Sequence, residues 1–356
     1  MAGHEANSKP IFYQQQNERY LDQDVMEIEM KDTFTRFTND VIATTAFGIK
    51  IDSMKNKDNE FFVIGKDITS FSGFWKSRKL LGILIKVGMF NGRVRKFFTG
   101  IIDDTIKVRE EKGIVRPDMI HLLMEARKGV QQHKEKIIDT GFAVVAGHGV
   151  ADIAAQSMIF FFAGFDSISS LMCFVSYELT INPDIQNRLK TEIMDTLEKY
   201  NGDVPYEAIL KMRYLDMVVS GAGVDRICTK PYMIEPTTPD EKPVYLKKDT
   251  AIWFPIYAIH RDPQYSPDPE MFNPERFNDE NKHNIQPYSY IPFGVGPRNC
   301  IGSRFALLEN KVVFFHLLSN YELKPSAKSP IPLKICKKPF NLAAEEGFWF
   351  NMKRNK

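Results

Sequence analysis

Apolar residues recur at three- and four-residue intervals through most of the first half of the chain, a spacing that predicts helices. Met30, Phe34, Phe37 and Val41 make one such stripe, and Gly48 follows Phe47 where a C-cap would end it. Residues 92–128 continue with Val94, Phe97, Phe98, Ile101, Ile102 and Ile106, break at Gly113 and Pro117, and resume from Met119 to Ala126. Periodicity fails between Lys128 and Val150, and Gly147-His148-Gly149 there predicts a surface loop. Asp152 is placed to cap a long helix that runs to Leu179, and Asn182-Pro183 supplies a cap and a first-turn proline for the next. That next helix aligns Ile185, Leu189, Ile193 and Leu197 and ends at Asn201-Gly202.

From Val224 the period shortens. Residues 226–229, 233–235, 244–247 and 251–257 are short β-prone runs between prolines, which predicts a small sheet. An irregular stretch rich in proline and asparagine, 261–292, leads to a last helix with Phe305, Leu308, Val312 and Phe315 on a single face. The order is therefore a helical part over about 25–220, a small sheet over 224–260, a loop and final helix over 261–321, and C-terminal strands over 322–352. The fold class is mainly α with a small β part, of the α+β type.

Composition narrows the class without naming a partner. The chain has 356 residues, 43% hydrophobic and 26% charged, enough to bury a large core. Forty-seven basic residues against forty-five acidic ones leave a charge of +2, too balanced to point to nucleic acid. Residues 1–40 hold no apolar run flanked by positive charge, so neither a signal peptide nor an amino-terminal anchor is expected there. The longest apolar stretch, 153–165, contains Gln156 and Ser157 and stops at Asp166, short of the roughly 18 uninterrupted apolar residues of a membrane span, and reads as a buried helix. The four cysteines, Cys173, Cys228, Cys300 and Cys336, lie far apart and make no Cys-x-x-Cys pair.

Chemistry concentrates at Phe293-Gly-Val-Gly-Pro-Arg-Asn-Cys-Ile-Gly302. Gly294, Gly296 and Pro297 shape a loop whose backbone can approach a flat ligand closely, and Gly302 opens the following helix. Cys300 thus sits just before a helix N-terminus, where backbone N–H groups and the helix dipole favour an anion and so a metal-bound thiolate. Arg298, two residues earlier, is within reach of a carboxylate on such a ligand, and Phe293 is placed to shield the sulfur from water. A lone cysteine is more often an inert buried thiol, but the whole F-x-x-G-x-R-x-C-x-G spacing overturns that prior.

This loop resembles that of the cytochrome P450 superfamily, the haem-thiolate monooxygenases. Met271-Phe-Asn-Pro-Glu-Arg-Phe277 resembles the family's segment upstream of the cysteine, and Ala163-Gly-Phe-Asp-Ser167 resembles the oxygen-binding kink of its long central helix. The wording of residues 160–171 and 277–309 is most like insect microsomal enzymes of family nine. The resemblance covers roughly 28–350 and implies a partial catalytic domain over 25–356, with 1–24 unmatched. It further implies haem b held through Cys300, with Arg298, Phe293, Gly296, Gly302 and Arg226 around it, Arg226 and Arg298 reaching the propionates.

The implied reaction inserts one atom of O2 into a lipophilic substrate such as a xenobiotic, with NADPH-derived electrons delivered by a flavoprotein reductase at the cytosolic face of the endoplasmic reticulum membrane. Gly164 would leave room where the helix passes the iron. Asp166 and Ser167, beside Ala163, would relay protons, Ser167 standing where the family generally has threonine. Arg304 and Lys311 are candidates to dock an acidic reductase surface, or simply part of a solvated helix face.

Two departures from the family qualify this reading. No glutamate in the chain is followed by arginine three residues later, so the family's Glu-x-x-Arg helix is absent. Tyr214-Leu-Asp-Met-Val-Val-Ser220 resembles its first turns, and Gly221-Ala-Gly223 interrupts it. Arg276 is then expected to lack its usual carboxylate partner, at a cost of roughly 3–5 kcal/mol if it is buried and unpaired. The family's anchor, hinge and early helices also have no counterpart before Lys31, which implies a fold incomplete at the N-terminus. The alternative function is accordingly a relative that binds haem poorly and does no chemistry.

Overall fold

The first helical stripe becomes helix α1 (Met30–Phe47), which begins where the Glu29 carboxylate accepts the N–H of Asp32 at 2.7 Å and ends at Gly48 in the left-handed conformation, φ 73°. The computed structural model to which it belongs describes residues 24–69, 92–132, 150–218, 224–227, 230–248, 250–297, 299–336 and 343–355. The carbonyls at the end of α1 are also met by two guanidinium groups. Arg109 reaches the carbonyl of Phe47 at 3.3 Å and Arg116 that of Thr44 at 2.6 Å, while Asp118 holds Arg109 through two hydrogen bonds of 2.6 and 2.7 Å.

The chain forms two compact units, residues 1–211 with 308–356, and residues 212–307. In the first, α1 packs with α2 (Glu60–Thr69), α3 (Gly92–Lys112), α4 (Met119–Gln132) and α5 (Val150–Phe162). Their common core is a phenylalanine cluster: the rings of Phe47, Phe61, Phe98 and Phe161 sit 5.2–6.3 Å apart, mostly tilted or edge-on, as aromatic quadrupoles prefer. After α5 the helix widens for one π turn, Ala163–Ser167, and continues as α6 (Ile168–Ile181). The expected long helix is thus one helix with a local insertion. The stretch Ile153–Ile181 is long and apolar enough to cross a membrane by length and composition, and half of its most apolar window is buried in the fold. The side chain of Asp152, the expected cap, and most of the expected 128–150 loop lie outside the described residues, and α4 runs on to Gln132.

Helix α7 (Pro183–Lys199) buries Leu189 and Ile193 of its expected stripe, with Ile185 and Leu197 half-buried. Gln186 joins them, 4% exposed, for a polar reason. Its side-chain amide accepts the N–H of Leu323 at 2.7 Å and donates to the carbonyls of Leu323 and Leu179 at 3.0 Å each, acting as one more peptide beside a strand. The short helix α8 (Tyr206–Leu210) follows. The unit's sheet, in the order β1-β7-β6, is antiparallel and formed from β1 (Val25–Glu29), β6 (Tyr321–Pro325) and β7 (Trp349–Arg354). Met26, Ile28, Tyr321, Leu323, Phe350 and Met352 alternate onto its buried side.

The second unit carries α9 (Arg213–Val218) and two antiparallel strand pairs, β2 (Val224–Ile227) with β5 (Ala251–Phe254), and β3 (Tyr232–Ile234) with β4 (Val244–Leu246). The β-prone run expected over 251–257 stops at Phe254, because Pro255 removes a ladder donor and starts the single turn α10 (Ile256–His260). Helix α11 (Ser303–Asn320) begins in this unit and ends in the first. It does not bury a single face as expected: Val313, Phe314, Phe315, Leu317 and Leu318 are all buried, since apolar residues in consecutive pairs wrap around a helix.

Replacing Gln186 by leucine would strand buried groups on α6 and β6 at roughly 1–3 kcal/mol each, so a loss of about 2–4 kcal/mol is expected in chemical denaturation. A change below about 0.5 kcal/mol would show that water takes over those bonds.

Candidate functional site

The π turn is built by contacts from α1. Adding a residue to the helical turn frees carbonyls, and outside donors take them: Thr38 donates to the carbonyl of Phe165 at 2.8 Å, and Lys31 to that of Asp166 at 3.2 Å. Lys31 then continues to the Asp166 carboxylate at 2.9 Å and to the hydroxyls of Ser169 and Ser170 at 2.8 Å each. Phe165 is pinned between Phe161, stacked at 5.3 Å, and Phe62 at 6.1 Å. Gly164 serves this close approach: a Cβ there would lie 2.7 Å from Cδ1 of Ile42 on α1. Sequence reasoning assigned that glycine to the iron side, and the space it leaves is filled by α1.

Asp166 and Ser167 face different surroundings. The carboxylate, 14% exposed, lines a cavity of about 240 Å³ together with Lys31, Thr35, Phe165, Gly347 and Phe348. Ser167 is exposed and its hydroxyl donates to the carbonyl of Ala163 within the turn, so no hydrogen bond joins the two side chains. Around Ser167 the helix shows an uncovered stripe, Ala155, Ile159, Phe162 and Ala163, at helical spacing. One element therefore has the Asp166 carboxylate, paired with Lys31, facing a cavity on one side and an uncovered apolar stripe with the Ser167 hydroxyl on the other.

Lys31 was not singled out in the sequence. Lys31, Thr35 and Thr38 do recur at helical spacing, but Asp32, Arg36, Asn39 and Asp40 on the same helix leave that line without a distinct signal. Thr35 also reaches Ser169, at 3.3 Å.

The cysteine loop belongs to the second unit. Gly294 and Gly296 hold φ of 70° and 79°, which only glycine adopts without strain, and these kinks let the Cys300 N–H return to the Phe293 carbonyl at 2.8 Å. The N–H of Asn299 closes on the Gly296 carbonyl at 3.1 Å, and Gly302 accepts the N–H of Ala306 at 2.8 Å as the first bond of α11. The thiol is exposed, and beside it in the chain Val295 and Ile301 are 45% and 64% exposed. Arg298 and the side chain of Arg226 lie outside the described residues.

Two expectations are corrected. Arg276 is half-buried and well supplied with acceptors: its guanidinium donates to the carbonyls of Asn273, Met271 and Pro267 at 3.2–3.4 Å and to the hydroxyl of Ser266. Neutral oxygens thus satisfy the guanidinium N–H groups in place of a carboxylate, and because Arg276 is only half-buried the penalty of a buried unpaired charge does not apply. Lys311 is 3% exposed and donates to the carbonyl of Leu210 at 2.8 Å, which removes it from any docking surface, whereas Arg304 is exposed.

These residues fit a haem. Among the described residues no three His, Cys, Asp or Glu side chains gather as a metal site. A single thiolate would suit an iron that brings its other donors in its own macrocycle, and exposed apolar neighbours would suit a flat apolar ring.

A cysteine loop of this form, together with a π-kinked helix carrying an acid and a hydroxyl, defines the haem-thiolate class. The cytochrome P450 family profile matches residues 11–348, and the chain belongs to that family. The match starts inside the segment 1–24 that the sequence pattern left aside. The chain is 47% identical over 346 residues to Cytochrome P450 9e2 of Blattella germanica, covering 92% of this chain and 64% of that protein. It is 43% identical over 343 residues to Probable cytochrome P450 9f2 of Drosophila melanogaster, covering 92% and 65%, and 38% identical over 351 residues to Cytochrome P450 9c1 of the same species, covering 93% and 67%. It therefore spans just under two thirds of the length of the first two relatives.

Gly164→Ala is expected to cost about 1–3 kcal/mol through overpacking against α1. Ile42→Val removes the nearest methyl and should restore most of that loss in a double-mutant cycle, whereas additive effects would place the strain elsewhere.

Proposed function

We propose that this chain is a haem-thiolate monooxygenase that inserts one atom of O2 into a lipophilic organic substrate, using NADPH-derived electrons from a flavoprotein reductase. The observation that carries the proposal is the two-sided helix at 163–167: an uncovered apolar stripe with the Ser167 hydroxyl on one side, and the Asp166 carboxylate, paired with Lys31, facing a cavity on the other. Bound through the Cys300 thiolate, haem supplies the oxygen activation that no amino-acid side chain provides.

The protein's own part is to shape the pocket and move protons. Ile159, Phe162 and Ala163 offer an apolar surface to a lipophilic substrate and exclude water from it. Asp166 exchanges protons with solvent through its cavity, and Lys31 holds the carboxylate in place between exchanges. A rotation of Ser167 away from the Ala163 carbonyl turns its hydroxyl toward the apolar side and completes the path. Arg298 and Arg226 are assigned to the propionates by resemblance alone, as is the cytosolic face of the endoplasmic reticulum for the location.

The competing reading, a relative that binds haem poorly and does no chemistry, rests on the absent Glu-x-x-Arg helix and the unmatched early helices; the oxygens around Arg276 answer the part of it that concerned an unpaired charge.

In reductase-supported assays of the haem-loaded protein, Asp166→Asn is expected to slow substrate oxidation by about 10²-fold with haem content unchanged. Lys31→Met should slow it less and raise the solvent deuterium isotope effect. An unaltered rate for Asp166→Asn would remove the carboxylate from the mechanism.

A further inference from the structure

His260 closes α10, and its Nε2 receives the backbone N–H of Ile291 at 2.9 Å. Its ring lies 5.1 Å from that of Tyr290, which lies 4.7 Å from Phe277 in the Pro274–Phe277 turn. A peptide N–H can only donate, so Nε2 presents its lone pair and the imidazole is neutral with its proton on Nδ1. Protonation would turn N–H against N–H and break the bond.

Ile291 is the point from which the cysteine loop hangs. Its carbonyl accepts the N–H of Gly294 at 3.0 Å, and the residue just before that glycine, Phe293, accepts the N–H of Cys300 at 2.8 Å. Ile291 is 8% exposed, so its N–H has little water to turn to if the imidazole withdraws.

We propose that neutral His260 is a positioning residue for Cys300: by holding the Ile291 N–H it fixes the entry to the cysteine loop, and its protonation releases that entry. Only the consequence for iron ligation rests on the function proposed above, because the latch is a property of the chain alone. Tyr290 is the titratable side chain against the ring, while Arg261, next in sequence, turns to Glu270 and to the face of Tyr257. Burial, with no neighbouring charge contributing, lowers the His260 pKa below the ordinary imidazole value. The sign follows: the latch is closed above the ordinary imidazole range and is lost as pH falls through the lowered value.

Hydrogen–deuterium exchange of residues 288–302 in the haem-free full chain tests this without recourse to activity. His260→Leu removes the acceptor and should speed exchange there at least about fivefold at neutral pH. His260→Gln places an amide oxygen near the position of Nε2 and should protect the segment as the parent does. After correction for intrinsic rates, the parent should lose protection on acidification and the glutamine variant should not. Where His260→Leu fails to fold, the pH comparison between parent and His260→Gln decides alone. Equal exchange in parent and variants, or an acid response that persists in His260→Gln, overturns the latch. The loaded protein gives the second reading: its thiolate-type fraction should fall on acidification in the parent and hold in His260→Gln. A latch that behaves as described in a chain that never acquires a thiolate-type spectrum upholds the latch and refutes the cysteine assignment instead.

Discussion

One backbone hydrogen bond, from the Cys300 N–H to the Phe293 carbonyl, decides whether the chain presents a thiol at all. It closes only because Gly294 and Gly296 take positive φ, and it leaves the sulfur outside the loop immediately before a helix. Without that closure Cys300 would be one more cysteine, as Cys173 is: fully buried, its thiol pushed far up in pKa by desolvation and inert as a ligand. The contrast between these two sulfurs is one of surroundings, since the side chains are identical and one lies on a packed helix while the other lies on an exposed loop.

The first unit solves a different problem with a similar economy of means. A helix meant to carry both an apolar surface and an acid must keep the acid away from that surface, and the π turn does so by changing the helical phase over five residues. The carbonyls it frees are caught by Thr38 and Lys31, so a distortion that would otherwise strand buried polar groups becomes an attachment to α1. Gly164 and Ile42 set how closely that attachment can be made.

Much of this was legible in the residues, and the failures have physical causes. Helical stripes located α1, α3, α7 and the kinked helix because burial imposes a period on the sequence. The last helix misled, since Val312-Val313-Phe314-Phe315 satisfies any chosen face. Strand β1 escaped because five residues with two inward positions, Met26 and Ile28, carry almost no periodic signal, and their partner strand lies more than three hundred residues away. At the site, motif spacing drew attention to Cys300 and to residues 163–167, where the helix takes its π turn, but sequence has no means of showing that backbone carbonyls surround Arg276, or that Lys311 is buried. Such arrangements depend on which oxygens the fold leaves facing inward.

The proposed chemistry depends on a sulfur–iron bond, and a spectrum reports that bond directly. The isolated chain, supplied with hemin, reduced and treated with carbon monoxide, should show the red-shifted Soret band of thiolate ligation, and Cys300→Ala should abolish it while leaving the fold intact. A band of the histidine-ligated type in the parent, or a thiolate-type band that survives Cys300→Ala, would contradict the assignment.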